Sequence, residues 1–131
     1  MIYVSTARRL RDIGVRWNPT DGDRFVVADR DMDDEVFVLS TMTVEVHDLP
    51  QGTVIGFNGT TEWALDSVEN SDAVWLPREG QLREMLGATF RSLSRDQDKW
   101  RVDFAIGQRA MTVLHEDAEE AYGVALLALL D

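Results

Sequence analysis

Apolar residues recur every third position at Ala7, Leu10 and Ile13, with Arg8, Arg9 and Arg11 between them, which predicts a short amphipathic helix. Ser5 or Thr6 is placed to cap it, and Gly14 to end it in a left-handed conformation. Val15 and Trp17, the turn-rich Asn18-Pro19-Thr20-Asp21-Gly22-Asp23, and Phe25-Val26-Val27 then read as strand, loop and strand, most simply a hairpin. Val36, Val38 and residues 43–46 continue the β pattern, a period of two placing Val44 and Val46 on one face and Glu45 and His47 on the other. Pro50-Gln51-Gly52 turns the chain. Residues 53–57 and 61–68 are two further strands flanking Asn58-Gly59, a dipeptide whose tolerance of positive φ favours a tight hairpin.

In the second half, Leu76-Pro77 leads into a helix with Leu82, Met85 and Leu86 as its apolar stripe, and Gly87 ends it. Residues 90–93 and 100–106 alternate in period two around Arg95-Asp96-Gln97-Asp98, and residues 110–114 add a third strand after Gly107, giving an antiparallel meander. A final helix follows. Glu116, Asp117, Glu119 and Glu120 suit the positive end of its dipole, and Ala118, Ala121, Tyr122, Ala125, Leu126 and Leu129 face inward. Leu126, Leu127, Leu129 and Leu130 cover more than one helical face, which implies either deep burial or a homodimer seam through the C-terminal helix. These elements predict an α+β fold: a single compact domain over residues 1–131, its antiparallel sheet covered mainly on one face by about three helices.

Charge sharpens the picture. Residues 18–72 hold thirteen Asp and Glu against two Arg, while the remainder holds eleven of each sign, so the formal net charge of −11 lies entirely in one stretch. Such a charge repels a phosphate backbone and an anionic bilayer, which disfavours direct nucleic-acid or membrane binding and favours a basic protein partner. Mimicry of nucleic acid by carboxylates is a special case of the same idea. The absence of cysteine excludes disulfides and thiolate metal sites, and no apolar run has the length of a signal peptide or a membrane span, so the cytoplasm is the expected compartment.

Candidate chemistry is sparse. Asp29-Arg30-Asp31-Met32-Asp33-Asp34-Glu35 alternates oxygen ligands as a calcium loop does. It lacks glycine at the sixth position, and Ser40 stands where the twelfth-position acid belongs, so a solvated acidic turn is the better reading. His47, beside Asp48 and Glu45, could serve a small hydrolase or metal-dependent enzyme as a carboxylate-oriented base, with Ser40 or Ser67 as nucleophile; His115 is the only other imidazole. Gly52, Gly56 and Gly59 match neither a dinucleotide fingerprint nor a phosphate-binding loop. Of Trp17, Trp63, Trp75 and Trp100, most fill core, and Trp63 is favoured as an interface residue because its strand lies in the acidic stretch.

The segments Gly14-Val15-Arg16-Trp17, Gly22-Asp23-Arg24-Phe25, Phe57-Asn58-Gly59-Thr60-Thr61-Glu62-Trp63-Ala64-Leu65-Asp66, Val74-Trp75-Leu76-Pro77-Arg78 and Glu120-Ala121-Tyr122-Gly123 together resemble a family of short, uncharacterised actinobacterial proteins, some of which carry a pilus-assembly label. Genuine pilus-assembly ATPases need a phosphate-binding loop, which is missing here, so the resemblance implies a small single-domain fold and no activity. A weaker architectural similarity, carried by the first helix, the helix containing Gln81-Leu82 and the Ala-rich last helix, links the chain to small phage- and mobile-element-associated proteins.

The expectation is a non-enzymatic interaction protein, with no catalytic, cofactor or metal residue assigned, that presents Asp29, Asp31, Asp33, Asp34, Glu35, Glu62, Trp63 and Asp66 to a basic partner. An immunity-like or inhibitor protein, the His47 enzyme, and a calcium or small-ligand module are the alternatives.

Overall fold

A computed structural model describes residues 1–27, 35–39, 44–49, 52–57, 68–69 and 73–131, with 44–49, 52–57 and 68–69 described by their backbone. In chain order the elements are α1 (Val4–Asp12), β1 (Arg24–Val27), β2 (Phe37–Val38), β3 (Val44–Leu49), β4 (Gly52–Phe57), β5 (Val68–Glu69), β6 (Ala73–Leu76), α2 (Glu79–Leu86), a single 3-10 turn over Gly87–Thr89, β7 (Phe90–Asp96), β8 (Lys99–Ile106), β9 (Arg109–His115) and α3 (Ala118–Leu130). Three helices and antiparallel strand pairings make the predicted α+β fold, and the described strands fall into three three-stranded sheets, ordered β2-β1-β6, β3-β4-β5 and β7-β8-β9. Among the described residues, no helix is long and apolar enough to cross a membrane. The chain divides into two compact units, Trp17–Trp75 and the combination of Met1–Arg16 with Leu76–Asp131.

In the second of these, the meander forms as its alternation predicts. Register runs from Asp96↔Lys99 to Phe90↔Phe104 between β7 and β8, interrupted by a bulge between Phe90 and Ser92, and from Trp100↔His115 to Ile106↔Arg109 between β8 and β9. The turns are tighter than the polar run suggested: Gln97-Asp98 and Gly107-Gln108 close the two hairpins, with Gln97 and Gly107 at positive φ. Val102 and Phe104 on one face of β8 are buried under α3, whose Ala121, Tyr122, Ala125, Leu126 and Leu127 are buried in turn. α1 and α2 both pack on α3, so all three helices belong to one side of this sheet. Gly87 ends α2 at φ 58° and ψ −133°, a backbone conformation open mainly to glycine, and Gly14 follows α1 at φ 111°.

Local expectations fail where a tertiary partner competes. Neither Ser5 nor Thr6 caps α1, which starts at Val4 behind Tyr3 with no side-chain cap; Thr6 lies inside the helix and is buried. Ile13 is not an inward residue but an exposed one, at the end of that helix. Pro77 precedes α2 by two positions, and Gln81 Oε1 accepts the Arg78 N–H at 2.8 Å to satisfy the helix start.

In the unit of residues 17–75, the predicted hairpin between Trp17 and Phe25 does not form. β1 pairs instead with β2, Phe25 opposite Phe37, and with β6, which contains Trp75. Trp17, Phe25, Val27, Leu39 and Ala73 form a core against which Phe37 and Trp75 pack; the Phe25 ring lies 5.4 Å from that of Trp17 and 5.5 Å from that of Phe37. The β3–β4 hairpin closes at Leu49↔Gly52, at the predicted turn, and β5 joins it with Ile55 opposite Val68. The Asn58-Gly59 hairpin and most of the strand over residues 61–68 lie outside the described residues.

Candidate functional site

The boundary of the acidic stretch coincides with a structural boundary. All thirteen acids and both arginines of residues 18–72 belong to the unit Trp17–Trp75, so that unit carries the full −11, and the other unit, with eleven groups of each sign, is formally neutral. Of the eight residues assigned to a partner surface, Glu35 is described and is exposed; Asp29, Asp31, Asp33, Asp34, Glu62, Trp63 and Asp66 lie outside the described residues, as do Ser40 and Ser67.

One acid of this unit is committed to its interior. Asp23 is 1% exposed, and its Oδ2 accepts the Trp17 indole N–H at 2.8 Å and the Thr20 backbone N–H at 3.0 Å. Its own backbone carbonyl accepts from Leu39 N at 2.8 Å, while Gly22 N donates to Leu39 O at 2.9 Å. The turn-rich run therefore acts as a pin that fixes the aromatic core beside β1. The signal in the sequence for this burial is the indole six residues away.

The two histidines stand in different units. His47 lies on β3 with its Cα opposite Val54. His115 ends β9, where its Nδ1 accepts the Asp117 backbone N–H at 2.9 Å and its Nε2 lies 3.2 Å from the Tyr3 hydroxyl. Accepting at Nδ1 puts the neutral ring's proton on Nε2, donated toward Tyr3, so neither nitrogen keeps a lone pair for a substrate. Tyr3 and His115 also meet edge to face, with ring centroids 5.3 Å apart.

The start of α3 gathers more acids than a helix dipole needs. Asp117 caps it by accepting Glu120 N at 3.1 Å and pairs with the Met1 ammonium, which also lies 3.6 Å from Glu119. Burial alone would raise the Asp117 pKa; the hydrogen bond from the ammonium and that from Glu120 N outweigh it and hold the carboxyl below the ordinary aspartate value. Glu120 is 4% exposed and bridges to α1, accepting Thr6 Oγ1 at 2.6 Å and Tyr3 N at 2.9 Å, while Glu119 accepts Glu79 N at 2.8 Å from α2. These carboxylates tie helix ends together.

The sheet face away from the helices holds a second polar cluster. Asp103 on β8 accepts Thr112 Oγ1 at 2.7 Å from β9, Arg101 Nε at 3.0 Å from its own strand and Ser92 Oγ at 3.2 Å from β7. Partial burial pushes its pKa up, but Thr112, Arg101 and Ser92 together bring it below the ordinary aspartate value. A carboxylate with this many donors is a cross-strand clasp and not a base. Elsewhere, burial and then the charge of Glu79 raise the Tyr122 hydroxyl above the usual tyrosine value against an opposing pull from Arg83. Arg95 covers the Trp100 ring at 4.8 Å.

Among the described residues no three His, Asp or Glu are grouped to hold a metal ion. No family model, curated protein or solved structure matches this chain.

Proposed function

We propose that this protein is a non-enzymatic interaction module whose acidic unit, residues 17–75, presents its carboxylates to a basic protein partner. One observation carries the reading: a compact unit holds the entire net charge of −11, and the unit beside it in sequence is neutral. Segregated like charge raises the encounter rate with an oppositely charged surface and sets specificity through charge pattern, at some cost in self-repulsion within the unit. Asp23, buried under Trp17, stands outside this surface, and exposed Glu35 belongs to it.

The test is a pull-down from the native host over a salt series, comparing the wild-type chain with an Asp31→Asn, Asp33→Asn, Asp34→Asn, Glu35→Gln variant. The expected result is a stoichiometric basic partner retained at low salt by the wild type and weakened in the variant, with a shallower salt dependence. Unchanged affinity and salt dependence in the variant would remove the electrostatic basis of the proposal.

A further inference from the structure

The two edges of the β7-β8-β9 sheet differ. β7 is guarded: it carries a bulge between Phe90 and Ser92 and exposed Arg91 and Arg95, devices that discourage another strand from pairing. β9 carries no charge from Ala110 to Leu114, and among the described residues no strand pairs with its outer edge. Leu114, on the face away from the helices, is 47% exposed.

The same side of the unit has an apolar strip on α3. Glu120 and Gly123 face α1, through Thr6 and Ile2, and Tyr122 faces β7 through Phe90 and α2 through Glu79 and Arg83. With those directions taken and Ala121 and Ala125 buried, a helix of 3.6 residues per turn turns Val124 and Ala128 away from β7, toward β9. Both are exposed, and α3 packs on β9.

We infer that two copies of this chain associate across a two-fold axis, β9 pairing antiparallel with β9 of the second copy while the Val124–Ala128 stripes of the two α3 helices meet above it. The β9 sequence is self-complementary in that arrangement. With Thr112 opposite Thr112, Ala110 stands opposite Leu114, Met111 opposite Val113, and exposed Arg109 arrives at the corner of the second copy formed by His115 and exposed Glu116. No like charges face each other. Charge is compatible with this seam, because the unit that supplies it is formally neutral and brings no net like charge to the contact. The seam uses residues of the neutral unit alone, so the inference stands or falls separately from the function proposed above.

Sedimentation equilibrium on the full chain tests this. The expected mass is about twice 14.8 kDa, with Leu114→Lys and Val124→Lys each raising the dissociation constant at least about tenfold and Ser94→Lys, on the same sheet face but the guarded strand, changing nothing. Both lysine positions are exposed, so the melting temperature of dilute monomer is expected to hold. The chain has no cysteine, so a second measurement is direct: Ala110→Cys combined with Leu114→Cys is expected to give a covalent dimer on a non-reducing gel. Within one copy these positions are about 13 Å apart along the strand, too far for a disulfide. A monomeric mass at every concentration, a dimer indifferent to both lysine substitutions, a dimer lost with Ser94→Lys, or a double-cysteine chain that never cross-links would each overturn the inference.

Discussion

Thr6 on α1 donates its hydroxyl to the Glu120 carboxylate on α3 across 2.6 Å, although the two residues are 114 positions apart. Both are buried, and Glu120 also accepts the Tyr3 backbone N–H, so this one carboxylate holds the first helix to the last. Thr6→Val leaves a buried carboxylate oxygen short of a donor and is expected to cost about 1–3 kcal/mol. Glu120→Ala strands both donors and should cost more. Chemical denaturation of the two variants and of their combination checks this: the losses should be less than additive, and simple additivity would show that the pair does not act as a unit.

Gly123 sits where α3 meets the segment leading into α1. A Cβ built there comes 2.7 Å from Ile2 Cδ1 and 3.1 Å from Thr6 Cγ2, well inside contact distance. Gly123→Ala therefore sets overpacking of about 1–3 kcal/mol against a gain in helix propensity of about 1 kcal/mol. The net expectation is a lower melting temperature, with the penalty reduced in an Ile2→Val background, which removes the closest atom. An equal penalty in both backgrounds would sink the steric explanation.

The Asp103 clasp makes a pH prediction. Its pKa is lower folded than unfolded, so its stabilising contribution is present above the ordinary aspartate range and disappears as pH falls through the lowered folded value. Asp117 contributes with the same sign. Asp103→Asn should be less stable than wild type at neutral pH, with the difference shrinking as the solution is acidified below that range. Urea midpoints measured from neutral to strongly acidic pH decide it, and a constant difference would be the contrary result.

The Trp17–Asp23 bond predicts a graded series. Asp23→Asn keeps an oxygen that can accept the indole N–H, whereas Asp23→Ala leaves that N–H unpaired in the core and is expected to cost about 1–3 kcal/mol. Near-ultraviolet circular dichroism, which reports tryptophan packing, should change more in Asp23→Ala than in Asp23→Asn. Partner binding should survive Asp23→Asn, since this acid is not on the surface.

Periodicity alone located the meander, its third strand, the second and third helices and the glycine stops at Gly14 and Gly87, because those signals depend on residues within a few positions of one another. It misplaced what depends on distant partners. Thr6 has the chemistry of a cap, yet its hydroxyl goes to Glu120; Phe25 has the pattern of a hairpin strand beside Trp17, yet it pairs opposite Phe37; and β6, with Ala73, Val74 and Leu76 buried, is too short and too uniformly apolar to show a period. The segregation of charge was legible in the sequence to within a few residues. That it follows the outline of a compact unit, that Asp23 lies inside that unit, and that Leu114 and Val124 are exposed were decided only by tertiary structure, because burial and exposure are set by which surfaces meet, and a linear pattern does not encode those meetings.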